Sequence, residues 1–168
     1  MTADGQNAGL KTDRLPITIN GKAKLEEELK RLIHVERQAV IRAIEEARAH
    51  GDISENAEYD AAKERQSLIE GRIGEIQGHL AGAEIVDPAK LSGDRVIFGA
   101  HVELVDTETD EQVTYQIVGV DEADVKEGRI SILSPLARAL IGKRVGDIVN
   151  VRSPKTDKEY EITNLIFK

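Results

Sequence analysis

The sequence has 168 residues, and its 23 Lys and Arg residues against 31 Asp and Glu residues give a formal net charge of −8. This acidity argues against free duplex DNA or RNA as the main partner, because phosphate binding is driven by an excess of basic side chains. Cysteine is absent, which excludes disulfides and thiolate sites and agrees with a reducing compartment. No apolar run approaches the roughly 18 residues of a membrane span, and the first residues lack signal-peptide features. We therefore expect a soluble cytoplasmic protein without membrane attachment.

The chain begins with residues 1–15, which contain small and polar residues and few large apolar side chains. We predict a mobile arm there, and a plain tail without function is equally compatible with the composition. The following Ile17-Thr18-Ile19 predicts a short extended segment that leads into a helix capped by Thr18 or Asn20.

Two long helices are predicted next. Residues 22–50 contain no proline, and their apolar side chains recur at steps of three and four. A second segment repeats this pattern as a heptad seam with one polar position. The seam consists of Tyr59, Ala62, Gln66, Ile69, Ile73, Ile76, Leu80 and Ala83. Because only a short loop joins the two segments, they must be antiparallel neighbours. We therefore predict a coiled-coil hairpin over residues 16–88, with an acidic tip near residues 51–58.

A stripe of glycines lies on the second predicted helix, on the side opposite the seam. It comprises Gly71, Gly74, Gly78 and Gly82. The stripe is either a tolerated weakness of the helix or a place where the hairpin flexes or another surface approaches closely.

The C-terminal part of the chain has a different pattern. Asp87-Pro88 ends the helical periodicity, and β-rich runs separated by Gly, Asp and Pro follow. These runs are residues 96–98, 102–105, 113–118, 130–133, 148–151 and 160–163. Residues 135–141 predict one short helix with Ser134 as N-cap, Pro135 at the first position and Gly142 as stop. We therefore predict a globular α+β domain at 89–168, built on an antiparallel sheet with one short helix.

Candidate catalytic residues are few. The four histidines show no metal-ligand spacing, and no P-loop or nucleophile motif is present. The distinctive feature is the predicted tip, where Asp52, Glu55, Glu58 and Asp60 occur without Lys or Arg among them. Asp52 and Glu55 resemble a helix capping box, with Ser54 as a competing cap. Alternatively, their carboxylates serve Mg²⁺, with the rest of the site supplied by a partner.

Basic residues flank this acidic tip. Arg48 precedes the turn, and Lys63 and Arg65 follow it by one to two helical turns. They are either ordinary solvated charges of a helix or cations that hold an RNA backbone next to the acids.

Several separate blocks of this sequence resemble the GreA/GreB family of bacterial transcript cleavage factors. The resemblance covers residues 16–168 in the right order and spacing. The blocks are residues 51–59, 61–64, 70–73, 93–100 and 134–143.

This resemblance implies an architecture and an activity. In that family the coiled coil enters the secondary channel of bacterial RNA polymerase, and an FKBP-like globular domain docks on a coiled coil at the channel rim. The tip acids help to hold the second Mg²⁺ in the polymerase active site, which leads to endonucleolytic cleavage of backtracked RNA and rescue of arrested complexes. The resemblance thus implies a monomeric accessory factor that is not an enzyme by itself and binds no Mg²⁺ stably alone.

The resemblance also assigns roles to individual residues. Asp52 and Glu55 match the acidic pair that acts in catalysis and in Mg²⁺ binding. Arg48 and Lys63 match the basic patch that faces the nascent RNA, with Lys at 63 where Arg is common. A polymerase-docking loop corresponds to residues 133–135, that is Leu133, Ser134 and Pro135, and Leu133 stands where some members carry an acid.

Three other functions remain open. One is an inhibitory channel binder of the same shape, against which the intact spacing of Asp52 and Glu55 argues. Another is an FKBP-like prolyl isomerase, chaperone or interaction module, against which the few aromatic residues argue. The third is a structural coiled-coil adaptor in which the tip acids are only caps.

Overall fold

A computed structural model describes residues 15–51 and 56–168. The predicted arm therefore lies outside the described residues except for Leu15, which is buried. Asp52, Ser54 and Glu55 also lie outside them. Within the described residues the chain divides into two compact units: one contains residues 22–83, and the other combines residues 15–21 with residues 84–168.

The first unit is helical. The first predicted helix is present as α1 (Ile19–Arg31), a π-helical segment (Leu32–Glu36) and α2 (Arg37–Ala49), and the second is α3 (Ala57–Gly82). Of the two predicted caps of this helix, Thr18 and Asn20, the structure uses Thr18. Its hydroxyl accepts a hydrogen bond from the Gly21 N–H at 3.1 Å.

The buried side chains of both helical segments all lie at predicted apolar positions, while other seam positions such as Tyr59, Gln66 and Leu80 are half-buried. In α3 the buried side chains are Ala62, Ile69, Ile73 and Ile76. In the segment before it they are Leu25, Leu32, Val40, Ile44 and Ala47. The glycine stripe is exposed, and a Cβ added at Gly71, Gly74 or Gly78 would meet nothing within 4 Å. The outward orientation predicted for these three glycines is therefore confirmed.

Ion pairs join α3 to the preceding helices. Arg72 makes two hydrogen bonds to Glu28, at 2.8 and 3.0 Å. Arg37 makes two to Glu70, at 2.7 and 2.8 Å. These partners occur in opposite order along the chain, so the helices contact each other in an antiparallel sense. Each arginine also lowers the pKa of its partner carboxyl, because a hydrogen bond from guanidinium favours the ionised form.

The second unit contains a mixed β-sheet. β1 (Ile17–Thr18) pairs in parallel with β2 (Ile85–Val86). The other strands are β3 (His101–Asp106), β4 (Gln112–Val118), β5 (Arg129–Ser131), β6 (Ile148–Val151) and β7 (Lys158–Ile166). They form one sheet in the order β5-β4-β3-β7-β6.

The prediction of a fully antiparallel sheet is wrong at one edge. β4 and β5 are parallel, whereas the other pairs of the five-stranded sheet are antiparallel. Between them the chain forms two 3₁₀ turns, Val120–Glu122 and Val125–Glu127, which return it to Gln116 in the second half of β4. A tight hairpin would have produced an antiparallel pair instead.

The strand predicted at residues 96–98 is also wrong. Val96 is fully buried, but its N–H bonds to the Lys143 carbonyl at 2.8 Å and its carbonyl accepts from the Gly142 N–H at 2.9 Å. The chain then turns at Gly99, whose φ of +88° favours glycine. The apolar run is therefore a core segment that pairs with a turn.

The core of this unit lies on one face of the sheet, where β3 buries Val102 and Leu104 by strict alternation. The predicted short helix is present as α4 (Pro135–Leu140), and it contributes Ala137 and Leu140 to the same core. Over the described residues of both units, no helix combines the length and the hydropathy that a bilayer crossing requires.

Candidate functional site

The acidic pair predicted to act in catalysis, Asp52 and Glu55, falls outside the described residues, but the helix ends on either side of it are described. α2 ends at Ala49 and α3 begins at Ala57. The candidate carboxylates are therefore carried by the segment that connects these two helix ends.

Asn56 organises these helix ends. Its side-chain oxygen accepts hydrogen bonds from the N–H groups of Glu58 and Tyr59, at 3.0 and 3.2 Å. Its side-chain nitrogen donates to the carbonyl oxygen of Ala47 at 2.7 Å. Asn56 is thus the N-cap of α3 and also contacts the last turn of α2.

This finding bears on the capping interpretation of the tip acids. A helix has one N-cap residue, and in α3 that position belongs to Asn56. The capping alternative for Asp52, Glu55 and Ser54 concerns residues outside the described ones and stays a prediction, while the N-cap of α3 itself is Asn56. The first turn of α3 adds Glu58 and Asp60, both exposed, whose charges complement the helix dipole.

The two predicted RNA-contacting residues are exposed side chains of the described helices. The guanidinium of Arg48 lies 6.0 Å from the centre of the Tyr59 ring, within the range of a cation–π interaction. Lys63 donates to the side-chain oxygen of Gln66 at 3.2 Å. Within residues 15–51 and 56–168, neither cation is ion-paired with a carboxylate.

Arg65, the third basic residue near the tip in sequence, is engaged differently. It forms an ion pair of 2.7 Å with Glu36. Its charge is therefore used to join two helical segments.

The predicted docking residues lie between β5 and α4. Leu133 is 38 % exposed and its N–H donates to the Ser131 hydroxyl at 3.1 Å. Ser134 caps α4, because its hydroxyl accepts from the Ala137 N–H at 3.2 Å. Pro135 is exposed at the first helical position. The loop is thus held by local hydrogen bonds while it presents two apolar side chains to solvent.

Sequence reasoning did not single out two residues of this site. Asn56 had a signal, because it immediately precedes a first turn with two acids. Tyr59 was assigned only to the seam. Its contact with Arg48 joins the ends of two helices, and no local sequence rule indicates such a contact.

Comparison with known proteins places the chain in a family. The model described as "Transcription elongation factor, N-terminal" matches residues 15–85, and "Transcription elongation factor, GreA/GreB, C-term" matches residues 91–166. A protein of Acidiphilium cryptum named transcription elongation factor GreA is 59 % identical over 154 residues, which cover 92 % of this chain and 98 % of that protein. A protein of the same name from Thermodesulfovibrio yellowstonii is 55 % identical over 94 % of this chain and 99 % of its own length.

One solved structure among the similar ones is GreA factor homolog 1 (Gfh1) of Thermus thermophilus. It is 29 % identical and covers 91 % of this chain and 99 % of its own, with a TM-score of 0.42. The sequence matches, by contrast, extend over nearly the whole length of both partners and include both family models. The chain is therefore a member of the GreA/GreB family of transcription elongation factors.

Proposed function

We propose that this elongation factor inserts its helical unit, as a coiled-coil hairpin, into the secondary channel of bacterial RNA polymerase. There it stimulates Mg²⁺-dependent endonucleolytic cleavage of backtracked nascent RNA and thereby rescues arrested complexes. The factor is an accessory and not an enzyme by itself, because the reaction takes place in the active site of the polymerase.

The observation that carries this proposal is the arrangement around Asn56. This residue contacts the last turn of α2 and caps α3, so the segment with Asp52 and Glu55 connects two joined helix ends. Since the cap of α3 is already supplied, these two carboxylates are not needed as its N-cap. In this proposal their oxygens bind the Mg²⁺ of the assembled complex.

The helical unit has dimensions that suit entry into a narrow channel. The helical run of residues 19–49 has a length of about 45 Å at 1.5 Å per residue. Its antiparallel ion pairs and the heptad positions buried in α3 support a two-helix coiled coil. Such a pair is only two helix diameters wide and is therefore narrower than a globular domain.

The donor set at the tip fits Mg²⁺. Carboxylate oxygens are the preferred protein ligands of this ion, which is usually bound by one or two carboxylates together with water and phosphate. We assign Asp52 and Glu55 as these ligands in the assembled complex, and the factor alone does not bind the ion stably. When bound, Mg²⁺ supplies a Lewis acid that stabilises charge on the reacting phosphate.

The flanking cations have a complementary role. Arg48 and Lys63 are exposed, and within the described part of the chain neither is paired with a carboxylate. Both can therefore hold phosphates of the RNA backbone beside the acids. The Tyr59 ring next to Arg48 restricts the path of that side chain, so its charge is held near the tip.

The unit that contains the β-sheet makes the second proposed contact with RNA polymerase. We assign docking at the rim of the channel to Leu133, Ser134 and Pro135, which lie on a loop held by Ser131. In this proposal the unit has an FKBP-like fold, and the factor acts as a monomer in the cytoplasm.

The test uses RNA polymerase stalled in a backtracked state, to which the factor and Mg²⁺ are added. Release of short RNA fragments from the 3′ side is expected with the parent protein. Asp52→Asn or Glu55→Gln should lower the cleavage rate by at least about 100-fold, because a ligand charge is lost, while binding to polymerase is retained. Asp60→Asn is the matched control, since this exposed acid lies in the first turn of α3 and is not assigned to the metal.

Two outcomes would contradict the proposal. If both tip variants stimulated cleavage like the parent, the carboxylates would have no role in the chemistry. If the parent bound polymerase and released no RNA, the protein would be an inhibitory channel binder.

A further inference from the structure

The first turn of α1 contains a glycine at a position where a side chain would help to cap the helix. Gly21 is the third residue of this helix, a position where glycine weakens the helix relative to alanine. A Cβ built on Gly21 would lie 2.1 Å from the carboxyl carbon of Glu122 and 2.2 Å from one of its oxygens. The volume of a side chain at Gly21 is therefore occupied by Glu122, which comes from the 3₁₀ turn after β4.

The Glu122 carboxylate makes the hydrogen bond to the N-cap N–H that a residue at position 21 would make in a capping box, and one more to the Thr18 hydroxyl. It accepts from the main-chain N–H of Thr18 at 3.1 Å and from the Thr18 hydroxyl. The Thr18 hydroxyl in turn accepts from the Gly21 N–H at 3.1 Å. In an ordinary capping box the third helical residue supplies this carboxylate itself. Here a residue 104 positions away supplies it.

Glu122 is itself held in place. Its carboxylate also accepts from the Gly119 N–H at 2.9 Å, and its carbonyl accepts from the Arg129 side chain at 3.1 Å. Gly119 is required as a second small residue, since a Cβ there would lie 2.9 Å from the Glu122 carboxylate and from the Pro16 carbonyl. Two glycines thus make room for one carboxylate, and Thr18 beside it is only 2 % exposed.

We propose that Glu122 is a positioning residue for transcript cleavage, because it completes the cap of α1 from the sheet unit. This inference rests on the proposed function. The first turn of α1 belongs to the same unit as Glu122, whereas the helical run continues from Lys22 to the tip. The carboxylate therefore holds the start of the helical run that leads along the chain to the segment with the reactive acids. A small misplacement of reacting groups lowers a rate strongly.

The contact between Gly21 and Glu122 is tested first by a double-mutant cycle in which thermal unfolding is measured. Gly21→Ala should lower the melting temperature although alanine is the better helix former, because its methyl group displaces the carboxylate. The matched control is Gly74→Ala, where the added methyl meets open space and the melting temperature should rise or stay unchanged. In the Glu122→Ala background, Gly21→Ala should no longer lower the melting temperature.

The positioning role is tested in the cleavage assay. At saturating factor, Glu122→Ala should lower the cleavage rate about ten-fold and leave the concentration for half-maximal stimulation unchanged. If this variant folds poorly, Glu122→Gln, which keeps one acceptor oxygen, should show a smaller loss in the same direction.

The double variant Gly21→Glu/Glu122→Ala separates positioning from stability. It restores a carboxylate to the capping box from within the helix, so the melting temperature should recover, but the contact of this cap with the turn after β4 is absent and the rate should stay low. Recovery of the rate together with the melting temperature would overturn the proposal, as would a parent-like rate for Glu122→Ala. If the parent protein released no RNA, the proposed function would be refuted as well. The double-mutant cycle would then still show whether Glu122 completes the cap of α1.

Discussion

The side-chain nitrogen of Asn56 lies 2.7 Å from the main-chain oxygen of Ala47, so one side chain connects the end of α2 to the start of α3. The last carbonyls of a helix and its first N–H groups lack partners within the helix. Asn56 supplies partners to both ends, because its oxygen accepts from Glu58 and Tyr59 while its nitrogen donates to Ala47. The segment that carries the tip acids is therefore anchored where it enters α3.

Removal of this side chain should destabilise the helical unit. Asn56→Ala loses the cap and the contact with Ala47, and we expect the free energy of unfolding to fall by about 1–2 kcal/mol. Asn56→Ser keeps a capping oxygen but cannot reach Ala47, so it should cost about half as much. Urea unfolding followed by circular dichroism measures both. Equal losses for the two variants would mean that the cap contributes nothing.

The ion pair between Arg72 and Glu28 should contribute measurably to stability. Both side chains are about one-third exposed and share two hydrogen bonds, so Glu28→Gln should cost about 0.5–1 kcal/mol. Glu26→Gln is the control, because Glu26 lies 3.7 Å from Lys22 and both are more exposed. Urea unfolding at low salt and at high salt should show a loss for Glu28→Gln that shrinks as salt screens the pair. A loss of the same size for Glu26→Gln would exclude a specific contribution.

The same carboxylates predict how stability depends on pH. Hydrogen bonds from Arg72 and Arg37 lower the pKa of Glu28 and Glu70 in the folded state below the ordinary value of 4.5. As the pH falls, the unfolded chain therefore binds protons at these two carboxylates before the folded chain does. The stability that the two ion pairs contribute is present above the ordinary pKa and is lost as the pH falls through the folded pKa. Unfolding measured between pH 6 and pH 3 should show stability decreasing with acid. The Glu28→Gln/Glu70→Gln variant should show a smaller decrease, and an identical curve would contradict the assignment.

The basic residues near the tip should differ in their effect on cleavage. Arg48→Ala and Lys63→Ala each remove a cation proposed to contact RNA phosphate, and each should lower the cleavage rate by about ten-fold, since a hydrogen bond to a charged group contributes at least about 1.5 kcal/mol. Arg65→Ala is the control, because that side chain is engaged by Glu36. Lys63→Arg should raise the rate, since arginine binds phosphate with two hydrogen bonds. The rates are measured at saturating factor, and equal losses for all three alanine variants would argue for a general charge effect.

Docking should depend on the loop before α4. Pro135→Ala removes an exposed apolar surface and should raise the factor concentration needed for half-maximal cleavage, while excess factor restores the full rate. Val125→Ala is the control, because Val125 is also exposed and apolar but lies on a different turn. A titration of backtracked polymerase with each variant distinguishes them. An unchanged half-maximal concentration for Pro135→Ala would remove this residue from the docking surface.

Local sequence rules predicted the features that depend on neighbouring residues. The periodicity at steps of three and four identified the buried positions of α3, such as Ile69 and Ile73, because a helix repeats every 3.6 residues. Ser134 and Pro135 identified the start of α4 for a similar reason, since a cap bonds within its own first turn. The blocks that resemble the family, including the tip acids, were also readable without coordinates.

Tertiary packing decided what the sequence left open. Val96 pairs with the turn at Gly142 and not with a neighbouring strand, and β5 joins β4 in parallel after two 3₁₀ turns. Glu122 occupies the space beside Gly21 across 104 residues. Propensity and periodicity act over one or two turns of chain. Pairings between distant segments, by contrast, depend on which surfaces are buried together, and this is why only the folded structure identifies Glu122 as the residue that completes the cap of α1.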